Sequence, residues 1–321
     1  MTRYILKRLG YSLITLWVIV TLTFILMHLL PGKPFTGAKP IPPAIEENLN
    51  RRYGLDQPLY IQYGKYIGNL LKGDLGMSMF QQNRSVNSII AEGFPVSASL
   101  GIRALIFALT AGLLLGVIAS INHGKTWDYF TMFVAVLGVS VPSFIIGGII
   151  QYIFGVKGGI IPYIFGVKPF IKLPVAGWDG FKYTIMPSFA LGLGTLAVMA
   201  RMMRTSMLDV LNQDYIKTAK AKGLPRKTII WRHAIRNAIL PVVTILGPLV
   251  ASITTGTFVV ENIFGIPGLG KHFVNSVNQN DYTLIMGLTL FYAILLIGMN
   301  FIVDIAYGFV DPRIRLIREK E

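Results

Sequence analysis

One stretch of this sequence comes close to the spacing that binds phosphate: Gly265, four residues, then Gly270-Lys271. Such a loop needs a Ser or Thr next, whose hydroxyl ligates Mg²⁺, and a strand before it. His272 stands at that position, and no strand is predicted upstream. A Gly/Pro turn joining two apolar helices is therefore the better reading of 265–271. The four histidines, His28, His123, His233 and His272, are far apart and show no metal-ligand spacing. Cysteine is absent, which excludes disulfides, thiolate metal sites and cysteine nucleophiles. Asn83-Arg84-Ser85 is a glycosylation triplet, meaningful only in a secretory pathway. No catalytic constellation and no bound metal are expected.

The elements that would carry any function are apolar blocks. The chain has 321 residues, 53% hydrophobic and 14% charged, against roughly 25% charged in a soluble domain. Crossing a bilayer takes about 20 mainly apolar residues. Six stretches qualify, at about 10–30, 98–120, 129–154, 185–204, 239–260 and 284–308. The first follows Arg3, Lys7 and Arg8 and ends without a small-x-small cleavage site, so it is read as an uncleaved span. Stretch 159–175 is partly apolar but broken by Lys168, Lys172, Pro162, Pro169 and Pro174, which suits a re-entrant or surface segment. The fold class expected is an all-α integral membrane protein with six transmembrane helices. Between the first two spans, 31–97 is moderately polar, with short amphipathic helices expected at 44–53 and 59–72.

Lys and Arg in short loops set orientation. The N-terminal flank has three, loop 121–128 has Lys125, segment 201–238 has nine and the C-terminal tail has four. The opposite loops, 155–184 and 261–283, hold five between them. Both termini are therefore expected in the cytoplasm. Net charge is +15, which in a soluble protein would suggest nucleic acid. Here it fits a cytoplasmic face on anionic lipid, because the basic segment lacks interleaved aromatics apart from Tyr215 and Trp231.

Polar residues within spans are functional candidates. Arg103 either snorkels to the outer surface or faces a translocation path. Gln151 and Asn300 either line such a path or join helices by hydrogen bonds. Asp304, near the inner end of the last span, either pairs with a residue such as Arg313 or reaches the interface. Pro142, Pro187, Pro241 and Pro248 can kink their spans.

The basic segment holds more than a topology signal. Residues 213–225, from Gln213 to Pro225, read as a short helix with a stop, Gly223 suiting the left-handed position and Pro225 following. Asp209 and Asp214 lie early and the lysines late, which suits the helix dipole. Residues 228–237 read as a second helix. The small Ala219 and Ala221 would let a partner surface approach closely. A loop that only sets topology needs no helix–Gly–helix unit.

Ala219, Gly223 and Leu240-Pro241 resemble the cytoplasmic signature of ABC importer permeases: Glu-Ala-Ala, three residues, Gly, then Leu-Pro. Lys217-Thr218 replace its Glu-Ala. The wide spacing to Leu-Pro, with Arg232-His233-Ala234 and Arg236-Asn237-Ala238, is similar to the peptide and nickel branch. Within that branch the resemblance is nearest the oligopeptide or dipeptide permease B subunit. Tyr53 to Leu59, Gly73-Asp74-Leu75-Gly76, Phe264 to Gly270, and Asp304 with Asp311-Pro312-Arg313 resemble the same branch; Lys33 departs from its usual Asp.

The resemblance implies the type I ABC importer transmembrane fold. Residues 1–30 would be the first span, 31–97 an extracytoplasmic segment, 98–311 the transmembrane domain and 312–321 a cytoplasmic tail. It implies a non-catalytic permease subunit of a peptide importer in a bacterial or archaeal cell membrane. Its partners would be a second homologous permease, two cytoplasmic ABC ATPases and an extracytoplasmic solute-binding protein, with ATP and Mg²⁺ bound on the ATPases. Residues Asp214, Tyr215, Lys217, Thr218, Ala219, Ala221 and Gly223 would form the ATPase contact. The rival readings are a nickel permease of the same branch, and a secondary transporter driven by an ion gradient. The second would call for mid-membrane acids and repeated halves.

Overall fold

The computed structural model describes residues 2–29, 34–35, 42–81, 83–156, 173–255 and 257–310. Stretch 157–172, Pro31 to Lys33 and the tail from Asp311 lie outside them, as does the Asp304 side chain. Among the described residues the protein is helical, with an isolated antiparallel bridge between Met77 and Ser85. The helices are α1 (Thr2–Leu29), α2 (Pro43–Tyr53), α3 (Leu59–Leu71), α4 (Val86–Ile121), α5 (Thr126–Ser140) and α6 (Ser143–Ile150), the last running into a π-helical turn (Gln151–Val156). Then come α7 (Lys182–Leu211), α8 (Asp214–Ala221), α9 (Arg226–Thr228), a second π turn (Ile229–Ala234) and α10 (Ile235–Ala238). Finally come α11 (Leu240–Thr255), α12 (Thr257–Ile263), α13 (Leu269–Asn278) and α14 (Tyr282–Val310).

Among the described residues, four helices are long and apolar enough to cross a membrane: Leu6–Leu29, Val86–Ile121, Lys182–Leu211 and Tyr282–Ile302. A fifth candidate is the pair Thr126–Ser140 and Ser143–Gly155, bent by 109°. The bend has a local cause. Val141, held extended at φ −99° and ψ 122°, precedes Pro142, and proline disfavours a helical residue before it. Segment 239–260 holds α11 and α12. Helix α4 begins at Val86, ahead of the apolar stretch expected at about 98–120. Its 36 residues exceed the roughly 20 that a crossing takes.

The chain divides into two compact units: Met1–Val96 with Pro267–Phe301, and Ser97–Ile266 with Ile302–Glu321. In the first, Phe24 of α1 packs with Tyr282 and Met286, and Tyr63 and Tyr66 of α3 close over them. Tyr63 shares a hydrogen bond of 2.7 Å with Thr21, and His28 Nε2 lies 3.1 Å from Gln62 Oε1. Asp281 caps α14 by accepting the Leu284 N–H at 3.0 Å.

The second unit is built on α7. Its Met199, Met203 and Met207, four residues apart and so on one face, pack against Ala234, Ala238 and Val242. Its flanks meet glycines. A Cβ added at Gly112 or Gly116 of α4 would come within 2.8 Å of Met199 Cβ or 2.6 Å of the Ala200 carbonyl oxygen. One at Gly138 of α5 would come within 2.8 Å of the Leu193 carbonyl oxygen. Main chains therefore touch where these helices cross α7.

Candidate functional site

Helix α8 is defined by its ends. Gln213 is extended at its N-cap, and Asp214 in the first turn pairs with Lys217 at 2.9 Å. Lys220 lies in the last turn, where a cation favours the dipole. Gly223 adopts φ 73°. Its N–H donates to the Lys220 carbonyl at 3.0 Å, and the Leu224 N–H reaches back to the Ala219 carbonyl at 3.2 Å. This is the paired bonding that closes a helix on a left-handed residue, with Pro225 preventing its continuation.

The helix has two faces. Ile216 and Ala219 are buried against Ile229 and Val210. Asp214, Tyr215, Lys217, Thr218, Ala221 and Gly223 are exposed. Ala219, expected at the partner contact, is buried against its own chain, and of the two alanines only Ala221 is exposed. Tyr215 is exposed at the ring while its hydroxyl accepts a 3.2 Å hydrogen bond from Asn237 Nδ2. The expected helix at 228–237 is a helical stretch from Arg226 to Ala238 whose middle turn is π-helical.

A cluster joining α5 and α7 has no counterpart in the sequence motifs. Arg204 of α7 grips the buried Asp128 of α5 with two bonds, Nε to Oδ1 at 2.5 Å and Nη2 to Oδ2 at 2.8 Å. The Gly124 N–H donates to Oδ2 at 3.0 Å. His123 Nδ1 lies 3.1 Å from both Arg204 Nη2 and Asp128 Oδ2, and its tautomer decides whether it accepts from the one or donates to the other. The Asp128 side chain is 4% exposed and that of Arg204 is 20%. Arg226, just past α8, donates from Nη2 to the Ile121 carbonyl at the end of α4. Pairs 76 and 105 residues apart leave no mark in local spacing.

The candidate path residues have partners of their own. Arg103 lies over the Trp178 ring, 5.7 Å from its centroid. Gln151 Nε2 donates to the Val175 and Ile263 carbonyls at 2.8 and 3.1 Å, so it joins segments in the manner of a tie. Asn300 is half-buried on α14. In the glycine-rich segment, α12 precedes Gly265, and Gly270-Lys271 already lie inside α13, which removes the cradle a phosphate needs. In the first unit, a cleft of about 700 Å³ is lined by His28, Glu46, Asn50, Asp56, Gln62 and Tyr282. A neighbouring cleft of about 420 Å³ reaches Tyr66, whose hydroxyl burial pushes up to about 12.

The long apolar helices and the one bent pair are those of a multi-pass membrane protein. Residues 112–316 match the family described as binding-protein-dependent transport system inner membrane component, and residues 1–101 match its N-terminal membrane-component family. The chain belongs to this family, whose members are non-catalytic membrane components. It is similar to the dipeptide transport system permease protein DppB of Bacillus subtilis (strain 168), with 47% identity covering 98% of this chain and 99% of that one. It is also similar to the oligopeptide transport system permease protein OppB of Escherichia coli (strain K12), with 40% identity covering 98% and 100%. A solved structure described as an amino acid ABC transporter with histidines superposes with a TM-score of 0.50 at 13% identity, covering 68% of this chain and 92% of that one. The architecture is the type I ABC transporter permease fold.

Proposed function

We infer that this chain is a permease subunit of an ATP-driven importer of peptides. The observation that carries the reading is its 47% identity to a dipeptide permease over almost the whole of both chains. Similarity to both dipeptide and oligopeptide permeases supports a short peptide as cargo. The chain would span the membrane six times, with α11 and α12 together as the fifth crossing and both termini cytoplasmic. A second permease of the same fold would complete the path, with Arg103 and Asn300 as lining candidates. The outer segment, from residue 31 to where α4 enters the bilayer, would receive the solute-binding protein.

Two separate ATPases would bind ATP and Mg²⁺ and close against the exposed face of α8. Asp214, Tyr215, Lys217, Thr218, Ala221 and Gly223 would make that contact, with Ile216 and Ala219 holding the helix in place. Affinity purification of the chain, expressed with its neighbouring reading frames, tests this. An ATPase and a second permease should co-purify, and proteoliposomes of the complex with its binding protein should take up labelled dipeptide only with internal ATP. Uptake by the isolated chain driven by an ion gradient would overturn the reading.

A further inference from the structure

We propose that Arg204 and Arg226 clamp the α4–α5 turn to the coupling segment, so that residues 121–128 move with α8 when the ATPases close. This rests on the reading of α8 as the ATPase contact. The two arginines flank α8 in sequence and seize opposite ends of one turn. Arg226 leaves the stop after α8 and holds the last carbonyl of α4 at Ile121. Arg204 leaves α7 just before α8 and holds Asp128 in the first turn of α5. The Gly124 N–H, bonded to the same carboxylate, fixes the turn between them.

The two holds differ in kind. A carboxylate gripped by two parallel guanidinium bonds resists rotation as well as separation. With Asp128 buried, parting the pair would leave a charge away from water, so sliding between the turn and α7 is opposed. The hold of Arg226 is a single bond from an exposed side chain, made where the chain leaves α8. Together they close a loop: α4 to the turn, the turn to α7, α7 to α8, and α8 through Arg226 back to α4. Asp128, Arg204 and Arg226 are positioning residues in this scheme, because each acts through the turn that it holds.

The chain has no cysteine, which makes a distance measurement direct. The intact complex, with partner cysteines replaced, carries spin labels at Lys125→Cys and Lys222→Cys, both exposed and outside the clamp. The expected separation of the labels is the same without nucleotide and with ATP trapped. Asp128→Asn with Arg226→Ala should broaden it and lower the peptide taken up per ATP hydrolysed about fivefold or more. Arg226→Ala alone leaves the buried pair intact and should lower that ratio in the same direction. An unchanged ratio in both variants overturns the clamp, as does a native separation that shifts on ATP binding. Loss of the clamp would still leave ATPase binding through α8. Failure to recover any ATPase would instead overturn the reading of α8 itself.

Discussion

Ser78 donates its hydroxyl to the Asp281 carboxylate, joining points 203 residues apart in the chain. The same carboxylate takes the backbone N–H groups of Met79 at 3.1 Å and Phe80 at 3.3 Å, while capping α14 through Leu284. Tyr53 adds a bond from its hydroxyl to the Ser78 carbonyl at 2.9 Å. One buried acid thus orders the end of the outer segment and starts the last apolar helix.

Asp281→Ala should destabilise the purified subunit by about 3 kcal/mol, since it strands buried donors as well as removing a cap. Asp281→Asn keeps an acceptor and should cost less. Thermal unfolding in detergent gives the order, and equal melting of the two variants would contradict it.

At Gly223 the obstacle to substitution is conformational, because no atom lies within 4 Å of an added Cβ. Asn tolerates the left-handed region and should preserve uptake. Val should impose about 1–2 kcal/mol of backbone strain, open the end of α8 and abolish uptake while the subunit remains in the membrane. Normal transport by Gly223→Val would remove this residue from the coupling assignment.

Ile216 is fully buried on the inner face of α8. Truncation to Ala should cost about 2–5 kcal/mol of local packing and release the helix. Limited trypsin digestion should then cut faster after Lys217, Lys220 and Lys222. Thr218→Ala, on the exposed face, should leave digestion unchanged and weaken only ATPase association.

His272 is held below its ordinary value, first by burial and then by the charges of Arg84 and Lys271, with Glu92 opposing. Its Nδ1 lies 3.2 Å from Gln81 Nε2, a donor that suits a neutral ring. The unfolded chain takes up the proton at about pH 6.5, before the folded one does. Stability should therefore fall as pH drops below that value, until the lowered folded pKa is passed, and be unaffected above it. Melting curves between about pH 7.5 and 5.5 should show this slope, and His272→Gln should flatten it.

Local signals were legible and distant pairings were not. The stop at Gly223-Leu224-Pro225 and the outer helices at 43–53 and 59–71 follow from neighbours in sequence. Helix α4 contains the apolar stretch at 98–120 and extends ahead of it through Glu92 and Pro95, residues whose types do not mark a helix. Ala219 and Ala221 read alike in the sequence because size alone does not say which face of α8 is covered. Asp128 and Asp281 were overlooked because each owes its role to a partner far along the chain. Nothing in composition marks Gln151 or Ile229 as the start of a widened turn.

The glycine crossings of α4 and α5 over α7 have a mechanical consequence. Between most helices, side chains form a compliant layer that absorbs small displacements by changing rotamer. At Gly112, Gly116 and Gly138 that layer is missing, and backbone bears on backbone. A push entering at the foot of α7 has no cushion to compress there. In the proposed importer the three helices would respond as one stiff lever, delivering at one end the work done at the other.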